Sequence, residues 1–258
     1  MDKNSKNQSN TAYSALEALG ISVFVFRETD STNDRARIYA LSGGAAPAVF
    51  IADAQTAGRG RMGRSFYSPA DTGIYLSLLL KAPDDPSLTL RMTSAAAVAA
   101  HDAILEVLGI DTGIKWVNDL YLNGRKISGI LAESFFVDTC RYIIIGIGIN
   151  LSTADFPDEL RRIAGALTGG VTDETKHTLT EAVAAHLYRE MNDLGDPSIM
   201  ERYRKCSAVL GKSVRFIENG ESFEGVAESV DDMGALSVRL SDGSLYRLAS
   251  GEISLRLK

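Results

Sequence analysis

The chain has 258 residues, 45% hydrophobic and 23% charged, with a formal net charge of −6. That balance describes a soluble globular protein of one large domain, or one domain with a small appendage. The acidic body argues against a nonspecific nucleic-acid binder, and no apolar run is long enough to span a bilayer.

Cys140 and Cys206 form no C-x-x-C pair, and His101, His177 and His186 have no metal-ligand spacing. All five read as core or surface positions. The polar start lacks the apolar segment of a signal peptide, so a reducing cytoplasm is the expected location. Residues 1–10 read as a disordered tail.

A short helix is expected to end at Gly20, followed by a first strand over 21–26. Ser31, Thr32 and Asn33 are good N-cap residues for a helix running to about Leu41. Their side chains and the helix N-terminus could equally meet a polar ligand. A second strand over 48–52 delivers a loop, Gln55 to Phe66. Within it Gly58 to Arg64 holds three arginines and three glycines in seven residues. Arginine presents a rigid fork of donors to carboxylate or phosphate, and glycine lets backbone N–H groups approach a ligand. The glycines spell G-x-G-x-x-G, but a dinucleotide-binding turn needs a helix next, and 65–73 reads as loop. An anion-binding loop is the better reading.

Residues 73–81 read as a strand and 87–108 as a long helix whose alanines imply close packing. Asn123-Gly124 is a strong hairpin turn between two antiparallel strands. Lys115, Asn118, Asp119 and Lys126 lie beside the only tryptophan, Trp116, and suggest a lined cleft. Gly129 within a strand allows another group to approach the sheet. A strand from Cys140 runs into Gly146-Ile147-Gly148-Ile149-Asn150, where two glycines leave bare backbone on one face. This is a bulge or a flat floor under a planar ligand, with Asn150 reading its edge. Helices are expected over 159–167, over 178–194 with Thr178 or Thr180 as cap, and over 197–207. Short strands at regular spacing then imply a small antiparallel barrel, with a boundary near Ala208 to Gly211.

No Ser-His-Asp or Cys-His arrangement and no P-loop stands out. What fits is charge stabilisation of an anion without a protein nucleophile. Attack of a carboxylate on the α-phosphate of ATP needs cations that hold two anions together, with Mg2+ assisting, and then shielding of the acyl-adenylate from water. The residues alone reach only the activation or binding of an anionic small molecule.

With these motifs in hand, the chain resembles the biotin–protein ligases. Gly58 to Arg64 matches the family's G-R-G-R-x-G-R loop, and Lys115 to Asp119 its K-W-P-N-D motif. Lys126 to Leu131 matches K-x-x-G-I-L, Gly146 to Asn150 matches G-I-G-I-N, and Ser31-Thr32-Asn33 matches S-T-N. The resemblance implies an α+β fold: a mixed sheet backed by helices, as in class II aminoacyl-tRNA synthetases, with a small C-terminal SH3-like β-barrel. It divides the chain into the tail at 1–10, a catalytic domain at 11–209 and a C-terminal domain at 210–258.

The activity it implies has two steps. Biotin and ATP give biotinyl-5′-AMP, and biotin then passes to a lysine of the biotin carboxyl carrier protein or domain of a carboxylase. Carried over by motif, Lys115, Arg59 and Arg61 are the catalytic cations. Ser31, Thr32, Asn33, Gln55, Gly60, Gly129, Gly146 and Gly148 join Arg59, Arg61 and Lys115 around biotin. Arg61, Arg64, Phe66, Asn118 and Asn150 face the nucleotide. ATP and biotin are the substrates and Mg2+ the ion. Two departures stand out: Val117 replaces the family's proline, and Phe66 replaces a tryptophan that stacks on adenine.

Some relatives carry an N-terminal helix-turn-helix, for which three helices need roughly 35 residues. Only 30 precede Ser31 here, so a ligase without a DNA-binding module is expected. No membrane partner is expected, and the resemblance allows a homodimer. A lipoate or octanoate transferase and a non-catalytic biotin or nucleotide sensor are the alternatives. The glycines also predict a loop that is mobile until biotin binds.

Overall fold

The computed structural model describes residues 13–218, 220–249, 251 and 253–255. The expected tail at 1–10 and the start of the expected first helix lie outside them. In chain order the larger part comprises α1 (Ser14–Ala18), β1 (Ser22–Thr29), α2 (Thr32–Leu41), β2 (Ala48–Gln55), β3 (Gly73–Lys81), α3 (Met92–Leu108), β4 (Gly113–Lys115), β5 (Asp119–Leu122), β6 (Arg125–Val137), β7 (Cys140–Asn150), α4 (Asp173–Asn192) and α5 (Ser198–Lys205). The remainder is β8 (Ser213–Glu218), β9 (Glu221–Val230), β10 (Leu236–Leu240), β11 (Leu245–Leu248) and β12 (Ile253–Leu255).

The first seven strands form one mixed sheet in the order β1-β2-β3-β7-β6-β5-β4. β1 and β2 run parallel, joined through α2, and the other neighbours are antiparallel. Strand periodicity sorts the two faces. Ile74, Leu76, Leu78 and Leu80 of β3, with Ile143, Ile145, Ile147 and Ile149 of β7, join the main core with α3 and α4. In α3 the run Ala95 to Ala100 is wholly buried, and its small side chains let the helix approach closely. A smaller cluster (Ala36, Ala40, Phe50, Leu79 and Ile144) seats α2 on the opposite face. There β3 and β7 also present Tyr75, Ser77, Gly146 and Gly148, and the glycines leave the sheet open.

One row of register partners crosses this open face: Tyr75, Gly148, Gly129, Asp119 and Lys115. Two bare glycines therefore lie between an aromatic and a cation. The Asn123-Gly124 turn joins β5 to β6 as expected, both residues having positive φ, 51° and 76°.

The last five strands form an antiparallel sheet in the order β11-β10-β9-β8-β12. This meets the expectation of a small C-terminal antiparallel unit, and among the described residues the order is open at both ends and forms no closed barrel. Its inner residues, including Val214, Phe216, Ala227, Leu236 and Val238, belong to the same core cluster as the larger sheet. Among the described residues no helix is long and apolar enough to cross a membrane.

Three helix expectations change. Residues 87–108 divide into a 3-10 turn, Pro86–Arg91, and α3. α4 begins earlier than expected, with Thr172 Oγ1 accepting from the Thr175 N–H at 3.1 Å. Thr178 and Thr180 donate their hydroxyls to carbonyls one turn back and do not cap. Residues 158–163 form turns and 164–167 leave them as a bridge and irregular chain, because the Lys126 N–H donates to Ile163 O and the Gly165 N–H to Lys126 O. Those bonds to the start of β6 displace the ladder a helix would need.

Candidate functional site

Burial and chain direction bring the start of α2 over β3 and β7. Ser31 is the N-cap of α2, yet it makes no side-chain capping bond. The Thr32 N–H and hydroxyl both donate to Gln55 Oε1, at 2.9 and 3.2 Å, and Gln55 Nε2 donates to Ser68 Oγ at 3.0 Å. Asn33 Nδ2 donates to Glu133 Oε2 at 2.8 Å, and Ser77 Oγ lies 2.5 Å from Asn33 Oδ1 and 2.7 Å from Thr32 Oγ1. The Thr32 and Asn33 side chains are spent on the sheet and the neighbouring strand end. Gly146 is required by this arrangement, since a Cβ there would run into the Asn33 carboxamide.

Asp30 anchors the same corner. Burial alone would raise its pKa, but the Ser31 N–H, the Thr29 hydroxyl and Arg35 outweigh it, so its carboxyl is held below the usual value. Tyr75 Oη donates to Pro69 O at 2.9 Å, and burial pushes the phenol's pKa up.

The arginine loop folds as a hairpin. The Gly60 N–H donates to Arg64 O at 2.7 Å and the Phe66 N–H to Gly58 O at 2.8 Å, while Met62 and Gly63 take the positive φ values of the turn. No helix follows, as expected. The loop folds Phe66 back onto the glycine row, where a Cβ on Gly148 would strike its ring. The ring meets Tyr75 edge-on at 6.4 Å between centroids.

The cations divide by partner. Arg59 pairs with Asp34 at 3.0 Å and Glu133 at 2.6 Å. Arg61 donates to Asn118 Oδ1 at 3.0 Å, and Asn118 Nδ2 donates to Ile130 O at 2.9 Å. Lys115 Nζ lies 3.2 Å from Tyr121 Oη and 5.0 Å from that ring's centroid. Lys126 pairs with Asp119 at 2.7 Å.

Two adjoining cavities result. The first encloses about 50 Å3 and is lined by Ser31, Thr32, Asn33, Gln55, Arg59, Gly60, Arg61, Phe66, Asn118, Gly129, Gly146 and Gly148. The second encloses about 90 Å3 and is lined by Arg61, Arg64, Phe66, Lys115, Asn118 and Lys126, with Gly251 from the segment before β12. They share the arginine loop, Asn118 and Lys126. Asn150 lines neither; it is buried, and its Nδ2 donates to Gly165 O at 3.1 Å. The Trp116–Val117 peptide, where the family pattern has proline, is cis.

Sequence reasoning gave no role to Ser77 or Glu133. Ser77 did carry a signal: it is the one polar residue inside the apolar run from Ile74 to Leu80. Lys126 was legible as a cleft residue and lines both cavities.

A polar corner, a bare planar floor and a row of cations together suit a flat molecule bearing an acid, with a second anion beside it. Comparison with known proteins agrees. Residues 25–150 match the model of the biotin/lipoate A/B protein ligase family, and residues 209–256 match the biotin protein ligase C-terminal domain. The chain is 36% identical over 218 residues to the bifunctional ligase/repressor BirA of Bacillus subtilis, covering 80% of this chain and 66% of that protein. It thus spans slightly less than two thirds of that relative's length. It is 31% identical over 245 residues to a biotin–[acetyl-CoA-carboxylase] ligase of Mycobacterium tuberculosis, covering 90% of this chain and 88% of the other. With the enzyme of the same name from Paracoccus denitrificans it shares 34% identity over 235 residues, covering 82% and 91%. Among solved structures, the biotin protein ligase of Aquifex aeolicus in complex with biotin and ATP superposes with a TM-score of 0.75 at 26% identity, covering 92% of this chain and 99% of that one.

Proposed function

The chain belongs to the biotin protein ligase family, and from that premise we propose that it activates biotin with ATP and transfers it to a lysine of a carboxylase's biotin carrier protein or domain. The observation that carries the proposal is the convergence of the α2 start, the glycine row and the arginine loop on one cavity, which adjoins the cavity lined by Lys115. The likeness to the Aquifex ligase with biotin and ATP supports it.

In this reading biotin lies on Gly129 and Gly148, and the Phe66 ring that rests on that row moves aside to admit it. Ser31, Thr32, Asn33 and Gln55 meet the polar edge of its ring system. Its carboxylate oxygen attacks the α-phosphorus of ATP; a P–O bond forms and pyrophosphate leaves. Lys115 and Arg61 offset the repulsion of the two anions and the charge that grows at phosphorus. Arg64 assists at the phosphates, and Phe66 covers the adenylate side. In the second step the amine of the carrier lysine attacks the acyl carbon. AMP leaves with the C–O electrons, the amine gives up a proton, and an amide remains. The short C-terminal sheet is read as an SH3-like unit, supported by the match to the family's C-terminal domain.

Mg2+ fits less directly. Among the described residues no group of three or more His, Cys, Asp or Glu could hold a metal ion. The ion would therefore be carried by the ATP phosphates without a cage of protein ligands. Asn150 is read as support for the 165 segment beneath the nucleotide, acting through its bond to Gly165.

The test is exchange of labelled pyrophosphate into ATP, with biotin, lipoate and octanoate supplied separately. Exchange with biotin alone, lost in Lys115→Ala, is the expected result. Exchange with lipoate or octanoate in its place changes the substrate, and none with any acid overturns the proposal.

A further inference from the structure

Arg59 differs from the other cations of the loop in the company it keeps. One nitrogen of its guanidinium meets two carboxylates, Asp34 on α2 at 3.0 Å and Glu133 on β6 at 2.6 Å. Among the described residues neither Arg61 nor Lys115 pairs with a carboxylate; their acceptors are the neutral Asn118 amide and Tyr121 hydroxyl. A cation with neutral partners keeps its full attraction for an incoming anion. A cation already bracketed by two carboxylates does not, because a substrate carboxylate or phosphate brought to Arg59 also meets Asp34 and Glu133 as like charges.

Glu133 is held independently of the loop. Its Oε2 accepts from Asn33 Nδ2 at 2.8 Å, and its Oε1 lies 3.4 Å from Arg37, whose guanidinium stacks 4.5 Å over the Phe135 ring. Its side chain is only 20% exposed. The carboxylate is thus a fixed post at the rim of the cavity, and Arg59 is the part that arrives with the loop. The Arg59 backbone sits opposite Ser65 in the hairpin's β-bridge, between the Gly60–Arg64 and Phe66–Gly58 bonds, so anchoring its side chain also anchors Phe66 and Arg61.

We infer that Arg59 is a positioning residue and not an anion ligand: it clasps the loop to Glu133 and Asp34, and this closed hairpin is what retains the acyl-adenylate. The inference deepens the ligase reading above and rests on it. Opening the loop exchanges one charge-assisted hydrogen bond, to Glu133, and one ion pair, to Asp34, for water, so the clasp sets how long the reactive intermediate stays enclosed.

The experiment compares wild type with Arg59→Gln, Glu133→Gln, the double variant, and the charge swap Arg59→Glu with Glu133→Arg. Three quantities are read: kcat and KM of pyrophosphate exchange, the release rate of preformed biotinyl-5′-AMP, and chymotryptic cleavage after Phe66 without ligand. A clasp predicts that each single variant releases adenylate about tenfold faster, the size expected of a partly exposed charge-assisted bond. The double variant is then no worse than either single, and the swap recovers retention. An anion ligand predicts the reverse: Arg59→Gln lowers exchange kcat about a hundredfold, Glu133→Gln is harmless, and the swap is no better than Arg59→Glu alone. That pattern overturns the inference. If the swapped chain does not fold, additive losses in the double variant overturn it and non-additive losses sustain it. If wild type shows no exchange with biotin, the ligase reading fails first, and cleavage decides the clasp. Glu133→Gln should be cut faster than wild type, and an unchanged rate overturns the clasp.

Discussion

The indole Nε1 of Trp116 donates to the backbone carbonyl of Gly234 at 2.9 Å, tying the turn after Lys115 to the β9–β10 turn of the C-terminal sheet. Trp116 is 3% exposed, so neither group can turn to water instead. Tyr203 Oη adds a 3.3 Å bond to Val117 O on the same turn. Trp116→Phe leaves the Gly234 carbonyl buried without its donor, which should cost about 1–3 kcal/mol of unfolding free energy. Urea denaturation measures this, and an unchanged midpoint would show that the bond contributes nothing. Because the turn carries Lys115, exchange kcat should fall with it, while biotin affinity changes little.

Asp231 shapes the other end of that bond. Its Oδ1 accepts from the Met233 and Ala235 N–H groups at 2.9 Å each, and its Oδ2 meets Arg247 at 2.6 Å. Burial alone would raise the Asp231 pKa, but Arg247 and the two N–H groups outweigh it and hold it below the usual carboxylate value. A depressed folded pKa gives stability that is present above the unfolded pKa and is lost as pH falls through the folded one. Asp231→Asn should therefore lower the unfolding free energy at neutral pH, by no more than about 1 kcal/mol for a carboxylate this exposed. The gap should close below about pH 4, where the aspartate protonates as well. A gap that held constant into acid would refute the assignment.

Ser77 carries no expected contact with ligand, yet it supports two residues that do. It is fully buried and bonded to Asn33 and Thr32. Ser77→Ala leaves Asn33 Oδ1 short of a donor and should cost about 1–3 kcal/mol of stability. Calorimetric titration should show biotin bound at least several-fold more weakly and ATP unchanged. An equal loss for both ligands would mean the serine acts on the whole fold.

Phe66 lies on the glycine row, and its size sets how well the loop covers that floor. Phe66→Trp adds apolar area and should slow biotinyl-5′-AMP release about fivefold; Phe66→Ala should speed it by more. Gly148→Ala pushes a methyl into the ring and should lift the loop, with biotin affinity falling at least tenfold at little cost in Tm. Release rates equal across the Phe66 series would remove the ring from any covering role.

Much of this site could be read in the chain because its signals are local. The arginine loop, the Asn123-Gly124 turn, and Gly146 and Gly148 within an apolar strand each declare themselves within a few residues. What stayed hidden are pairings between distant segments. Glu133 is an ordinary strand glutamate until Asn33 and Arg59 arrive beside it. Residues 159–167 looked helical because nothing local tells that Lys126 will take the backbone bonds of Ile163 and Gly165. The third hidden pairing is that of β12 with β8. Phe66 was legible as a departure from the family's tryptophan, but its place on the glycine row follows from the hairpin and needed the structure.

The strand order bears on how the protein is made. β3 pairs on one side with β2, which precedes it, and on the other with β7, from Lys81 against Tyr142 to Gly73 against Asn150. On a ribosome the chain must therefore emit α3 and three further strands before β3, buried at every residue but Lys81, gains its second neighbour. Until then β3 is an open, sticky edge, and the nascent chain is at its most prone to misassociate. Substitutions that delay β7, including any that stiffen Gly146 or Gly148, should show their harm first as lost yield during synthesis, before any defect in the finished molecule.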